Sequence, residues 1–202
     1  MVNLINTYSR KVPAWVIYVI GGLYPVWLLW QAVDGGLGVD PAKAMEHALG
    51  ERALQLLILG LAITPLRKHL GINLIKFRRA IGLTAFFLVF AHLLVWLLLD
   101  VQLIDQIWAD ILKRPYITIG MLSFVIMVPL AVTSNNLSVR KLGPKWRKLH
   151  KATYVACLLG GLHFVMLAKG FQLEPLIYLG TVILLLALRV KLPSGSSARK
   201  RA

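Results

Sequence analysis

Long apolar blocks separated by short polar segments set the pattern of this chain. Apolar residues run almost unbroken from about 12 to 33, 52 to 66, 80 to 99, 116 to 133, 152 to 168 and 173 to 190. A helix needs about 20 mostly apolar residues to cross a bilayer. The pattern therefore predicts an all-α integral membrane protein, a six-helix bundle forming a single domain over 1–202, with 193–202 as a flexible basic tail. The second and fifth blocks are short, so their flanking polar residues would snorkel or their helices would stand near the membrane normal. The first block is too long for the apolar region of a signal peptide and lacks a small-residue cleavage site, so it reads as a retained anchor.

Composition supports this picture. Hydrophobic residues make up 58% of the 202 residues and the mean hydropathy is +0.71. Soluble domains run at about 45–50% apolar. A net charge of +15 invites a nucleic-acid reading. That reading fails because the positive charge sits in short segments between apolar blocks, with no basic domain to hold a duplex. Eighteen of the 23 Lys and Arg fall on one side of the predicted membrane: Arg10 and Lys11, those in 67–79 and 140–151, and the tail from Arg189. The other side holds Lys43, Arg52, Lys113, Arg114 and Lys169. The positive-inside rule then predicts that both termini are cytoplasmic. Asp34, Asp40, Glu46, Asp100, Asp105 and Asp110 fall outside. The single cysteine, Cys157, makes no internal disulfide and no cysteine-based metal site.

Two histidines carry the candidate chemistry. His92 lies in GLTAFFLVFAHLLVWLLL and His163 in ATYVACLLGGLHFVMLA. An imidazole in hydrocarbon has no water for its ring nitrogens and needs a partner. Both sit about twelve residues into their spans from the cytoplasmic side, a depth of roughly 18 Å. Two imidazoles at one height suit axial ligation of a haem iron. The plainer alternative is a hydrogen bond from each histidine to a neighbouring helix. A different class of reading is a proton-coupled transporter or channel with a histidine relay. Against that stand the matched depths, the lack of an acid at mid-depth and the absence of a defensible internal repeat. No GxGxxG or Walker pattern follows a strand-like run, so no nucleotide-binding module is expected.

His150 lies thirteen residues before His163. On an ideal helix that is about 140° round and roughly 20 Å away, too far to bind the same iron. Taken alone it is as well read as a solvated or headgroup residue. His69, in a basic loop, and His47, in an outer loop, read as solvated.

Taken together, several segments resemble one family. They are TPLR (Thr64 to Arg67), FRRAIGL (Phe77 to Leu83) with His92 nine residues on, and RPYITIGM (Arg114 to Met121). AVTS (Ala131 to Ser134) and LGPKWRKLHKATY (Leu142 to Tyr154) with His163 complete the set. The chain resembles the MsrQ (YedZ) family, the haem-binding membrane subunits of bacterial periplasmic methionine sulfoxide reductase systems. That family belongs to the ferric-reductase-like transmembrane group. The resemblance covers nearly the whole chain. It implies a b-type haem protein of the bacterial inner membrane that passes electrons to a periplasmic molybdopterin enzyme. The implied donor is quinol from the quinone pool or a cytosolic flavin reductase, and FMN is an implied further cofactor. The family's haem histidines carry over onto His92, His150 and His163. The oxidase branch of the wider group has a second histidine on the third helix. Here Arg78 and Arg79 stand at that end, so a second haem at His150 lacks an obvious partner. One haem is expected, a second is left open, and no catalytic residue of its own.

Haem propionates and an FMN phosphate are anionic, and arginine pairs with such groups. Arg78, Arg79, Arg147 and Lys148 surround the inner mouth, where positive-inside anchoring explains them equally. Thr84, Ser123, Thr153 and Tyr154 are candidates for hydrogen bonds around the site, or for bonds to their own helices. Gly82, Gly120, Gly160 and Gly161 offer close approach to a flat macrocycle or a neighbouring helix, with the Gly160–Gly161 pair beside His163 the preferred clearance site. The outer acids form a candidate docking face for a soluble partner with a basic patch.

Overall fold

The computed structural model describes residues 2–168 and 170–189. Lys169, the end of the sixth expected span at Val190 and the expected basic tail lie outside them. The described residues are helical, without a strand. In chain order the helices are α1 (Val2–Lys11), α2 (Trp15–Val33), α3 (Pro41–Leu70), α4 (Arg78–Val95), α5 (Ile104–Lys113) and α6 (Pro115–Val132). There follow α7 (Asn136–Leu142), α8 (Pro144–Leu149), α9 (Ala152–Leu167) and α10 (Leu173–Ala187). A 3₁₀ turn (Ile75–Phe77) leads into α4, and a π-helical turn (Trp96–Val101) continues it.

Among the described residues, four segments are long and apolar enough to cross a membrane: Trp15–Val33, Pro41–Leu70, Ile75–Val101 and Pro115–Val132. The chain is thus an integral membrane helical protein. Helix α9 has 16 residues and α10 has 15. At about 1.5 Å per residue each is shorter than a hydrocarbon core of about 30 Å.

The largest departure from expectation is the second span. It was expected from 52 to 66, but α3 runs for 30 residues. The reason lies at its two ends. Asp40 caps the helix, its side chain accepting from the Lys43 N–H at 3.2 Å, and Pro41 occupies the first turn. That bond, more than the paired Lys43 ammonium, holds the Asp40 carboxyl below its usual pKa. At the far end Gly71 adopts φ 70 and closes the helix on Leu66. Hydropathy marks what lipid tolerates, while caps mark where a helix starts. Lys43, Glu46 and His47 are therefore helical rather than in a loop, and His69 is in the last turn of α3.

Pro65 sits inside α3 and has no N–H for the Leu61 carbonyl. Arg189, just past α10, donates to that carbonyl through Nη2 and to the Tyr154 hydroxyl through Nη1 at 2.9 Å. One guanidinium thus joins α3, α9 and the end of α10.

The core is built for close helix approach rather than bulk. Leu57, Leu61, Ala85, Met127, Ala156, Cys157 and Val182 form one cluster from α3, α4, α6, α9 and α10. Between membrane helices lipid offers no hydrophobic drive, so small residues that let backbones meet carry the packing. Gly161 is one: a Cβ there would come within 3.1 Å of the Leu179 side chain on α10. Helix α2 is peripheral, with only Gly21 and Leu28 buried.

The short helices sit at the two ends. Asn6 ties α1 to the end of α3, donating to the Gly71 carbonyl and accepting from the Asn73 N–H. Helix α5 was expected as loop. It is amphipathic, with Ile104, Trp108 and Leu112 exposed along one stripe.

Candidate functional site between two helical hairpins

Helices α3 and α4 form one antiparallel pair and α6 and α9 another. His92, near the end of α4, and His163, near the end of α9, face each other between the pairs. Their ring centres are 6.3 Å apart and their planes cross at 84°. The expectation that two separate helices bring these imidazoles to one level holds.

Each ring is held in the same way. His92 Nδ1 donates to the Glu46 carbonyl of α3 at 2.8 Å. His163 Nδ1 donates to the Tyr116 carbonyl of α6 at 2.7 Å. A main-chain carbonyl only accepts, so the proton of each neutral ring lies on Nδ1 and the lone pair on Nε2. This is the tautomer and the support that a metal-ligating histidine needs. Bonds of about 2 Å from one metal ion to two imidazoles, plus the radius of each ring, place the ring centres roughly 6 Å apart. The observed separation matches. No group of three or more His, Cys, Asp or Glu stands together among the described residues. The protein therefore offers an axial pair, which suits a macrocycle that brings the remaining ligands itself.

A cavity of about 200 Å³ contains both imidazoles. Leu54, Leu57, Val89, Phe124 and Phe164 make its walls apolar. At its exposed rim stand three basic residues, Lys43, His47 and Arg114, with Asp100 beside them. Asp110 of α5 holds Arg114 through an ion pair of 3.2 Å.

The expected supporting residues fall elsewhere. Arg78, Arg79 and Arg147 do not line this cavity. They stand at the opposite, basic end, where Arg79 donates to Asn136 at 2.8 Å. His150 is there too, stacked on Trp146 with ring centres 3.9 Å apart. Its Nε2 lies 3.0 Å from the Thr133 hydroxyl, which itself donates to the Pro129 carbonyl at 2.6 Å. His150 thus has a hydroxyl partner, not a second imidazole. Burial, with Arg78 nearby, holds its pKa below the usual range. Of the hydroxyl candidates, Ser123 donates to the Ala156 carbonyl, Tyr154 accepts from Arg189, and Thr84 is buried against Gly21. None of these three hydroxyls is hydrogen-bonded to a histidine among the described residues, and Thr153 bonds the His150 carbonyl through its main-chain N–H at 3.4 Å. Gly160 lines the cavity, but a Cβ there would make only ordinary contact, 3.7 Å from Leu54.

Sequence reasoning missed a polar group at the cavity wall. Glu51 lines the cavity and is joined to Gln55 Nε2 at 2.7 Å and to the Tyr178 hydroxyl at 3.1 Å. Arg52 donates to Gln55 at 2.7 Å. Glu51 is the eleventh residue of α3, about 15 Å from its start. Glu51 thus stands at the edge of the apolar run that begins at Arg52, within the helix rather than in a loop. Three polar residues at i, i+1 and i+4 in a long helix were the available signal.

Residues 49–161 match the family described as ferric reductase like transmembrane component. The chain is 49% identical over 189 residues to the protein-methionine-sulfoxide reductase heme-binding subunit MsrQ of Agrobacterium fabrum, covering 92% of this chain and 88% of that protein. It is 47% identical to MsrQ of Brucella anthropi, covering 92% and 84%. It is 45% identical to MsrQ of Brucella ovis, covering 93% and 89%. No solved structure matches. With two tautomerically matched imidazoles in a helical membrane core and relatives this similar along almost their full length, the chain belongs to the MsrQ family of heme-binding subunits, within the ferric-reductase-like transmembrane proteins.

Proposed function

We propose that this protein is the electron-transfer subunit of a bacterial inner-membrane methionine sulfoxide reductase system, holding one b-type haem between His92 and His163. The observation that carries the reading is the pair of imidazoles with ring centres 6.3 Å apart, each bonded through Nδ1 to a carbonyl so that Nε2 keeps its lone pair. Haem bound there supplies one-electron redox chemistry. With one imidazole from each hairpin to hold it, that chemistry would be electron transfer rather than binding of oxygen or substrate.

The chain's own residues do the rest. The carbonyls of Glu46 and Tyr116 orient the imidazoles and make them better electron donors to a metal. Leu54, Leu57, Val89, Phe124 and Phe164 would give the ring of a bound haem an apolar surround. Lys43, His47 and Arg114 stand where carboxylate groups of a haem would meet the rim. The charge asymmetry supports six spans, with the basic end and both termini in the cytoplasm and the histidine end toward the periplasm. A periplasmic molybdopterin reductase would accept the electrons there. Quinol or a cytosolic flavin reductase would supply them. Arg78, Arg79 and Arg147, with His150, form the basic end at which FMN or a second cofactor would be held. The proton-relay alternative gains little from Glu51, because Glu51 bonds Gln55 and Tyr178 and both histidine Nδ1 atoms are committed to carbonyls.

Purified protein is expected to show a b-type reduced-minus-oxidised spectrum, with about one haem per chain by pyridine haemochrome. A colourless preparation from haem-replete cells would refute the reading.

Docking at the outer face gives a second expectation. Asp40 and Asp110 are paired with Lys43 and Arg114, which leaves Asp34, Asp100 and Asp105 outside any ion pair among the described residues. Reversing Asp100 and Asp105 to lysine should slow electron delivery to the soluble partner roughly tenfold at low ionic strength, and added salt should shrink the difference. Equal rates in dilute buffer would move the docking surface elsewhere.

A further inference from the structure

We infer that Gly50 and Gly120 are positioning residues, each opening the gap through which an axial imidazole reaches a helix carbonyl four residues earlier. The inference rests on the haem reading above and adds residues that neither hydropathy nor histidine placement singles out.

In an α-helix the carbonyl of residue i already accepts from the N–H of residue i+4. A second donor must use its other lone pair and approach from the side. Side chains tilt toward the helix N-terminus, so the one at i+4 leans over that carbonyl and blocks the approach. Glu46 with Gly50 and Tyr116 with Gly120 are both i, i+4 pairs, and both carbonyls receive an imidazole N–H. A Cβ at Gly50 would stand 3.1 Å from His92 Nδ1 and 3.2 Å from its Cε1. At Gly120 the distances to His163 would be 2.8 and 3.0 Å. Real Cβ atoms essentially never come as close as the 2.8 Å at Gly120, while the 3.1 Å at Gly50 is tight. Gly82 and Gly180 show no such restriction, with nothing within 4 Å. The device occurs twice, on separate hairpins, with carbonyl-to-histidine separations of 46 and 47 residues.

Two consequences follow. The carbonyl bonds make each Nε2 more electron-rich, which favours the ferric state. They also fix the ring planes nearly perpendicular, at 84°. Perpendicular axial planes leave two of the iron d orbitals nearly degenerate, so ferric low-spin haem gives a strongly anisotropic EPR signal. Parallel planes give a rhombic one.

The test compares wild-type protein with Gly120→Ala, Gly50→Ala and the control Gly82→Ala, all purified in detergent with haem. Oxidised wild type should give the strongly anisotropic signal, and a rhombic signal would overturn the assignment. Gly120→Ala should shift that signal, raise the haem midpoint potential and lower haem retention about tenfold. Gly50→Ala should act in the same direction but less, and Gly82→Ala should match wild type. If Gly120→Ala does not accumulate, Gly50→Ala decides on the same readouts. Unmoved signal and potential in haem-loaded glycine variants would overturn this inference alone. A wild type without haem would overturn it together with the haem reading.

Discussion

Replacing either His92 or His163 with alanine is expected to reduce bound haem more than tenfold. Each ring supplies one axial ligand from a separate hairpin, so neither can stand in for the other. Around the two rings the cavity is largely apolar, lined by Leu54, Leu57, Val89, Phe124 and Phe164. The folded protein should survive both changes. The carbonyls of Glu46 and Tyr116 keep their helical N–H partners, so each loses one extra bond worth about 1 kcal/mol. Haem content and helicity therefore separate: the absorption spectrum should vanish while circular dichroism and detergent elution stay as in wild type. His69→Ala, on the exposed last turn of α3, should match wild type. His150→Ala should keep the spectrum of the His92–His163 site, because its ring is engaged with Thr133 and Trp146 at the other end. Full haem content in His163→Ala would refute the axial pair.

Arg189→Leu is expected to cost about 3 kcal/mol of stability, read as unfolding by denaturant in detergent. Its guanidinium serves the Leu61 carbonyl, which Pro65 leaves without an N–H, and the Tyr154 hydroxyl. Truncation strands both in a setting without water, where an unpaired polar group is costly. Pro65→Ala separates the two roles. It returns an N–H to the Leu61 carbonyl, so Arg189→Leu should cost about 1 kcal/mol less in that background. Strict additivity of the two changes would show that Arg189 does not serve that carbonyl. Haem binding is not expected to change in either variant, since both residues stand away from the cavity.

Much of the helical plan was legible along the chain. The apolar runs beginning near 116, 152 and 173 start within a residue of α6, α9 and α10. The long start of α3 was missed because its first turns carry Lys43, Glu46 and His47, which a hydropathy reading assigns to water. The Asp40–Pro41 start signal was present and outweighed them. The π-helical turn at Trp96–Val101 and the amphipathic α5 were silent, since neither depends on a long apolar run.

The site divides along the same line. His92 and His163 stood out because an imidazole inside an apolar run needs a partner. The groups that hold them did not, because a main-chain carbonyl exists at every residue and carries no signature. The glycines that expose those carbonyls are two of 16 in the chain. Gly120 is among the four glycines that the sequence offers for clearance, but adjacency to His163 favours Gly160 and Gly161, whereas the glycine that clears its ring is Gly120 on α6 and Gly50 carries no signal at all.

Residue order alone determined that the chain is helical and membrane-embedded, that its charge is lopsided, and that two imidazoles lie at matching depth. These follow from local composition and from a rise per residue that every α-helix shares. Only the packing of α3 on α4 and of α6 on α9 decided which nitrogen of each ring is free, how the ring planes cross, and which cations reach the cavity rim. Those features depend on distances between helices far apart in the chain, and no periodicity along one helix encodes them.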